Sequence, residues 1–145
     1  MKSLRTFLIT TAAVAGCGGG SPALITNFTG ATWSVNETIT LDCGGQTTSD
    51  SETETLAFTE TSAGIGYVSG AGCDYQFAVS GDTATLSNGP VTCSTVLSDG
   101  STLLLNLNSY TAASADGLHL TTVASGTVTD SGTTCDFALD GSGTR

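Results

Sequence analysis

His119 is the only histidine in the chain, so a general base working near neutral pH must be that residue or a carboxylate with a shifted pKa. A Ser-His-Asp site needs an imidazole held by an acid and facing a serine. His119 sits between Leu118 and Leu120, and period-2 alternation turns it to the face opposite theirs, toward solvent. No Gly-x-Ser-x-Gly elbow is present. A cysteine nucleophile needs a basic neighbour to lower its pKa, yet after Arg5 the only Lys or Arg is the last residue, Arg145. Paired carboxylates are the remaining acid-base chemistry. Glu37 shares the parity of Trp33, Val35 and Ile39, and Glu60 that of Leu56 and Phe58. Both fall on apolar faces unless a bulge or a strand end lets them reach water.

Metal chemistry has no spacing to support it. The five cysteines, Cys17, Cys43, Cys73, Cys93 and Cys135, contain no Cys-x-x-Cys pair, and one histidine cannot complete a zinc set. The acidic turns "SGDT" and "DSGTTCD" offer oxygens but match neither the twelve-residue calcium loop nor the glycine-rich nonapeptide. The sequence therefore points to no catalytic residue, no metal and no cofactor.

Charge narrows the partners. Thirteen Asp and Glu stand against three Lys and Arg, two of which are Lys2 and Arg5. Such a surface cannot neutralise phosphates, which argues against nucleic acid. It also lacks the basic patch that would hold the folded domain on anionic lipid. Basic proteins are admitted as partners.

The elements that must position these residues are strands. From about Thr26 onward no helical period exists, and alternation dominates. Trp33, Val35, Ile39, Leu41 and Cys43 share one face, opposite Ser34, Asn36, Thr38, Thr40 and Asp42. Tyr75, Phe77 and Val79 form a second such face, Leu103, Leu105 and Leu107 a third, and Phe137 and Leu139 a fourth. One buried and one wet face per strand is antiparallel sheet. Turn chemistry recurs at "SGDT", "SNGP", "SDGS", "ADG" and "DSG". About eight strands joined by tight turns predict an all-β up-and-down meander. Closure into a small barrel would remove edges that an uncharged Thr-rich sheet cannot defend. The polar stretch "GGQTTSDSETET" at 44–55 reads as a long mobile loop.

The N-terminal segment is of another kind. Lys2 and Arg5 make a positive n-region and "FLITTAAVA" an apolar h-region, together a predicted signal helix of export length. It closes on Val14-Ala15-Gly16-Cys17, which resembles the lipobox of bacterial lipoproteins. The resemblance implies that signal peptidase II recognises Val14, Ala15, Gly16 and Cys17, cuts before Cys17, and leaves that cysteine acylated as the first mature residue. The acyl chains would be the membrane partner, since two or three give stable anchoring. "GGGSP" is a flexible tether. Gly18, in place of an aspartate retention signal, implies the outer membrane, lipid-anchored. The expected organisation is residues 1–16 signal peptide, 17–25 lipidated cysteine and tether, and 26–145 one domain. In such a protein the triplets Asn27-Phe28-Thr29 and Asn36-Glu37-Thr38 carry no default glycosylation meaning.

Setting Cys17 aside leaves four cysteines in an exported chain, and two disulfides are the default. Three pairings exist. A hairpin turning at Gly81-Asp82 brings Cys73 level with Cys93, and first and last strands adjacent in a closed barrel would join Cys43 to Cys135.

"TGATWSV" opening the first strand, with the tether and two disulfides, is similar to small bacterial lipoproteins with lipocalin-like barrels. Gly30-x-x-Trp33 resembles the Gly-x-Trp of the first lipocalin strand with one residue added, where the tryptophan plugs the closed end. The resemblance implies a non-catalytic envelope lipoprotein serving as scaffold, interaction surface or small-ligand carrier. The alternative is a periplasmic inhibitor of a lysozyme or protease, although Ser69-Gly70 is followed by Cys73 where that inhibitor motif has tyrosine. A small hydrophobic ligand is admitted but not favoured. Trp33, Phe58, Tyr67, Tyr75, Phe77 and Phe137 are expected to fill the interior.

Overall fold

A computed structural model describes residues 24–69, 72–97 and 99–145. The signal helix expected over residues 1–16, the recognition residues Val14, Ala15 and Gly16, and the acylation site Cys17 lie outside the described residues. Leu24 is already tied to the domain, its amide donating to the Gly81 carbonyl at 2.9 Å. Ile25–Asn27 then form one 3₁₀ turn. The rest is strand: β1 (Trp33–Asp42), β2 (Thr47–Leu56), β3 (Thr59–Thr61), β4 (Gly64–Val68), β5 (Asp74–Ser80), β6 (Thr83–Leu86), β7 (Val91–Val96), β8 (Thr102–Ala113), β9 (His119–Asp130) and β10 (Thr133–Thr144).

These make one ten-stranded antiparallel sheet in the order β2-β1-β10-β9-β8-β6-β5-β4-β3, with β7 also on β8. β6 pairs with Thr111–Ala113 and β7 with Thr102–Leu107, so the two lie end to end along the long β8. The all-β antiparallel sheet is as the alternation requires, with two more strands than the turns imply, but the order is not a simple meander: β2 and β3 do not pair, β1 lies beside β10, and β7 stands off the main path. The β9–β10 hairpin shows why turn residues set register. Asp130 pairs with Thr133, and the two-residue loop places Ser131 at φ 49° and Gly132 at φ 85°. That is the twist-matched hairpin turn, which needs positive φ at both central residues.

The polar stretch 44–55 is not a loop, for Thr47–Leu56 form β2 along the whole of β1. Its outer face is a ladder of small polar groups: Thr38 with Ser51 at 2.9 Å, Thr40 with Ser49 at 2.9 Å, and Thr53 donating to Asn36 at 2.7 Å. Its inner face is acidic, since register sets Asp50, Glu52 and Glu54 opposite Ile39, Glu37 and Val35.

That inner face explains a second departure from expectation. The sheet is not closed into a barrel, and β2 and β3 are its two edges. β3 has only three residues, and charged side chains pointing inward from an edge strand oppose further pairing. The edges are defended by charge and by shortness, not by closure.

One core cluster takes residues from both ends of this order, so the sheet curls around a single interior. Packing is dense at the end where the chain enters. Trp33 is fully buried there and its indole N–H donates to the Phe28 carbonyl at 2.9 Å. The Arg145 guanidinium lies 4.6 Å from the Trp33 ring centre. It donates to the carbonyls of Thr29 at 2.8 Å, Thr26 at 3.2 Å and Gly117. Asn27 bonds the Ser114 carbonyl at 2.9 Å. Phe58 packs edge-on against Phe28 and Phe77, with ring centres 6.1 and 5.9 Å apart.

Two disulfides hold the opposite end. Cys43–Cys135 joins the end of β1 to the start of β10, with Cα atoms 4.3 Å apart. Cys73–Cys93 joins the start of β5 to β7, with Cα atoms 5.8 Å apart. The backbone ladder is incomplete between those two segments. The Asn88 side chain takes its place, accepting from the Gln76 amide at 3.0 Å and donating to the Asp74 carbonyl at 3.1 Å.

Candidate functional site

Toward the disulfide end the inward side chains stop filling the interior. Ile39, Leu41, Leu105 and Leu139 are only partly buried. They surround a chamber of about 710 Å³ walled by β1, β2, β8, β9 and β10, with Tyr67 of β4 and Tyr75 of β5 on the far side. The expectation of a mostly side-chain-filled interior therefore holds in the core cluster, which contains Trp33, Phe58, Tyr75, Phe77 and Phe137, and fails toward the disulfide end. The aromatic residues stack on each other instead of spreading through the volume: Tyr67 on Tyr75 with centres 5.8 Å apart, and Tyr110 edge-on to Phe77 at 5.2 Å. The opposite wall is mostly aliphatic, with Leu103, Leu105, Leu107, Val128 and Leu139, and has one small side chain on β9. Ala124 lines the chamber, while Gly126 lies beneath Phe137, in contact with its ring.

The polar groups of the chamber come from alternation as well. Glu37 follows Trp33 and Val35 inward on β1 and is 5 % exposed. Glu54 reaches the chamber from β2, and Asp130, Ser131 and Thr133 border it. Glu37 accepts one long hydrogen bond, 3.4 Å from the Thr122 hydroxyl, and has no other hydrogen-bond partner among the described residues. Burial raises its pKa above the ordinary value, the Glu54 carboxylate raises it further, the Thr122 bond opposes, and Glu52 adds a smaller push upward. Burial, then Glu54 and Glu37, push the Tyr67 phenol up to about 12. Burial and the same carboxylates raise Tyr110 beyond the ordinary phenol range. Tyr75 is raised by burial and restrained by a hydrogen bond with Ser69. The chamber is thus apolar, hydroxyl-bearing and negative.

The cation that would neutralise it is elsewhere. Arg145, the one Lys or Arg among the described residues, is committed to Trp33 and three carbonyls at the closed end.

The other residues with reactive types are not brought to this place. His119 is exposed, as the buried Leu120 implies, although Leu118 is exposed with it, and its Nδ1 lies 2.6 Å from Asp116. Asp116 also accepts the amides of Leu118 at 2.8 Å and His119 at 2.9 Å. Those bonds, the histidine's first, hold its carboxyl well below the usual range. The pair organises the turn into β9. Glu60 is exposed on β3, because the chain bends after Leu56 and the strand ends at Thr61. Among the described residues no group of three or more His, Cys, Asp or Glu could hold a metal ion.

Sequence reasoning found Glu37 by parity but missed the chamber around it. The available signal was slight: of the chamber's β9 lining, Ala124 alone is a small residue at an inward position. Comparison with protein-family models, with curated proteins and with solved structures finds no match to this chain.

Proposed function

We propose that the domain is a non-catalytic carrier of small apolar molecules, held on the outer membrane by acyl chains on Cys17. The chamber carries this reading. Its volume of about 710 Å³ falls within the range of small-molecule sites, about 300–1,000 Å³. Its aliphatic walls are left partly open to water, at a cost of about 25 cal/mol for each Å² that a ligand would cover. The anchor is supported by the order of n-region, h-region and Val14-Ala15-Gly16-Cys17. Leu24 joins the domain at the Trp33 end, so a flexible tether from Cys17 would attach at the end opposite the chamber.

The test is a titration of the full chain carrying Cys17→Ser, which cannot be acylated, with the neutral fluorophore N-phenyl-1-naphthylamine. Saturable one-site enhancement with a Kd of about 1–10 µM is expected. Leu105→Trp should abolish it while leaving thermal unfolding cooperative. A wild-type chamber that gives no saturable signal defeats the proposal.

A further inference from the structure

We infer that the chamber selects amphiphiles carrying a protonated amine, with the apolar tail between Leu105 and Leu139 and the ammonium at Glu37 and Glu54. This rests on the ligand-binding reading above and deepens it. Glu37 as a residue is 5 % exposed and accepts one long bond, from Thr122 to Oε1; among the described residues no sealed polar atom is left without a partner, so its other oxygen is open to the chamber, where a donor or a cation can match it. Its unmatched lone pairs face a cavity. An ammonium supplies three donors and the opposite charge.

The approach is matched to the same head group. Asp50 and Glu52 border a smaller hollow of about 280 Å³ that shares Ile39 and Leu41 with the chamber. Asp130 borders the chamber from β9. With a net charge of −10, the field draws cations inward and repels fatty carboxylates. A neutral alcohol gains only the apolar term. Around Glu37 stand Glu52 and Glu54 from β2, Tyr67 from β4, Tyr75 from β5, Tyr110 from β8 and Thr122 from β9. None of these supplies a positive charge.

The experiment compares decylamine, decanol and decanoate by calorimetry on the full chain carrying Cys17→Ser. Decylamine should bind about tenfold or more tighter than decanol, the equivalent of one charge-assisted hydrogen bond, and decanoate weakest. Glu37→Gln should remove the amine preference, bringing the decylamine and decanol affinities to within about threefold of each other. Glu54→Gln should reduce the preference, and it carries the test if Glu37→Gln does not fold. Amine affinity should also fall as pH drops through the Glu37 titration, while decanol affinity does not. Decanol binding as tightly as decylamine, decanoate binding tightest, or an amine preference surviving both substitutions would overturn the inference while leaving the chamber a ligand site. Failure of all three molecules to bind overturns the ligand-binding reading itself, and the inference with it.

Discussion

The Thr122 hydroxyl reaches Oε1 of Glu37 at 3.4 Å across a residue that has no side chain. Gly141 pairs with Glu37 on one side and with Thr122 on the other, so the three share the inner face. A Cβ at position 141 would stand 2.1 Å from the Thr122 hydroxyl and 3.1 Å from Cγ of Glu37. The glycine is what lets a β9 hydroxyl touch a β1 carboxylate.

Gly141→Ala should therefore separate the pair. A destabilisation of about 1–3 kcal/mol is expected from overpacking, with the Glu37 titration moved upward because its one donor is lost. Thermal unfolding reads the first effect and carboxyl NMR shifts read the second.

Glu37 also sets a pH dependence. Unfolded, it titrates near its ordinary value of 4.5; folded, burial first and Glu54 next raise it. Between those two values the native state holds a proton that the unfolded chain has released. Stability contributed by the neutral form is full below 4.5 and declines as pH rises through the folded pKa. Asp116 and Asp99 act in the opposite sense, since hydrogen bonds to His119 and Ser101 lower them and the stability they add is lost in acid. Comparing Glu37→Gln with the parent protein isolates the first effect. The melting-temperature difference should shift in favour of Glu37→Gln between pH 4 and pH 7.

The two disulfides should differ in weight. Cys43–Cys135 spans 92 residues and Cys73–Cys93 spans 20. The chain-entropy relation assigns them about 4–5 and about 3 kcal/mol. Paired Cys→Ala substitutions, measured by urea unfolding, should lower stability in that order.

Arg145 joins the 3₁₀ turn, the β8–β9 connection and Trp33 at the closed end. Arg145→Ala should cost about 1–2 kcal/mol through lost hydrogen bonds and ring contact. Arg145→Lys should restore little, because one ammonium cannot span carbonyls that a planar fork reaches. Fluorophore binding should be unchanged in both, since the chamber lies at the other end.

The strands with apolar inner faces were legible in the sequence. Trp33-x-Val35 on β1, Tyr75-x-Phe77 on β5 and Leu103-x-Leu105-x-Leu107 on β8 each announce one buried face, and each is a strand. β2 was not legible because its inner face reads Thr48, Asp50, Glu52, Glu54, which gives no burial signal. Its strand character comes from hydroxyl pairing with β1, a tertiary fact. The open sheet follows from the same residues, since an argument for closure assumed uncharged edges. The first and last meander strands adjoin even so, because β10 returns beside β1, and Cys43 meets Cys135 there.

The chamber was obscured by counting aromatic rings as filling. Ring volume fills a centre only when rings point at separate places, and here Phe28, Phe58, Phe77 and Tyr110 stack in one connected run. Glu37 was visible by parity, but its single weak partner was not: the Thr122 bond depends on Gly141, and the lack of a cation depends on Arg145 being engaged elsewhere.

The most direct measurement is a crystal of the protein soaked with 1-bromodecane, located by the anomalous signal of bromine. One site between Leu105 and Leu139, with Glu37 and Tyr110 on its border, is the expected result. A chamber that holds only water, with bromine confined to the outer face of the sheet, would contradict it.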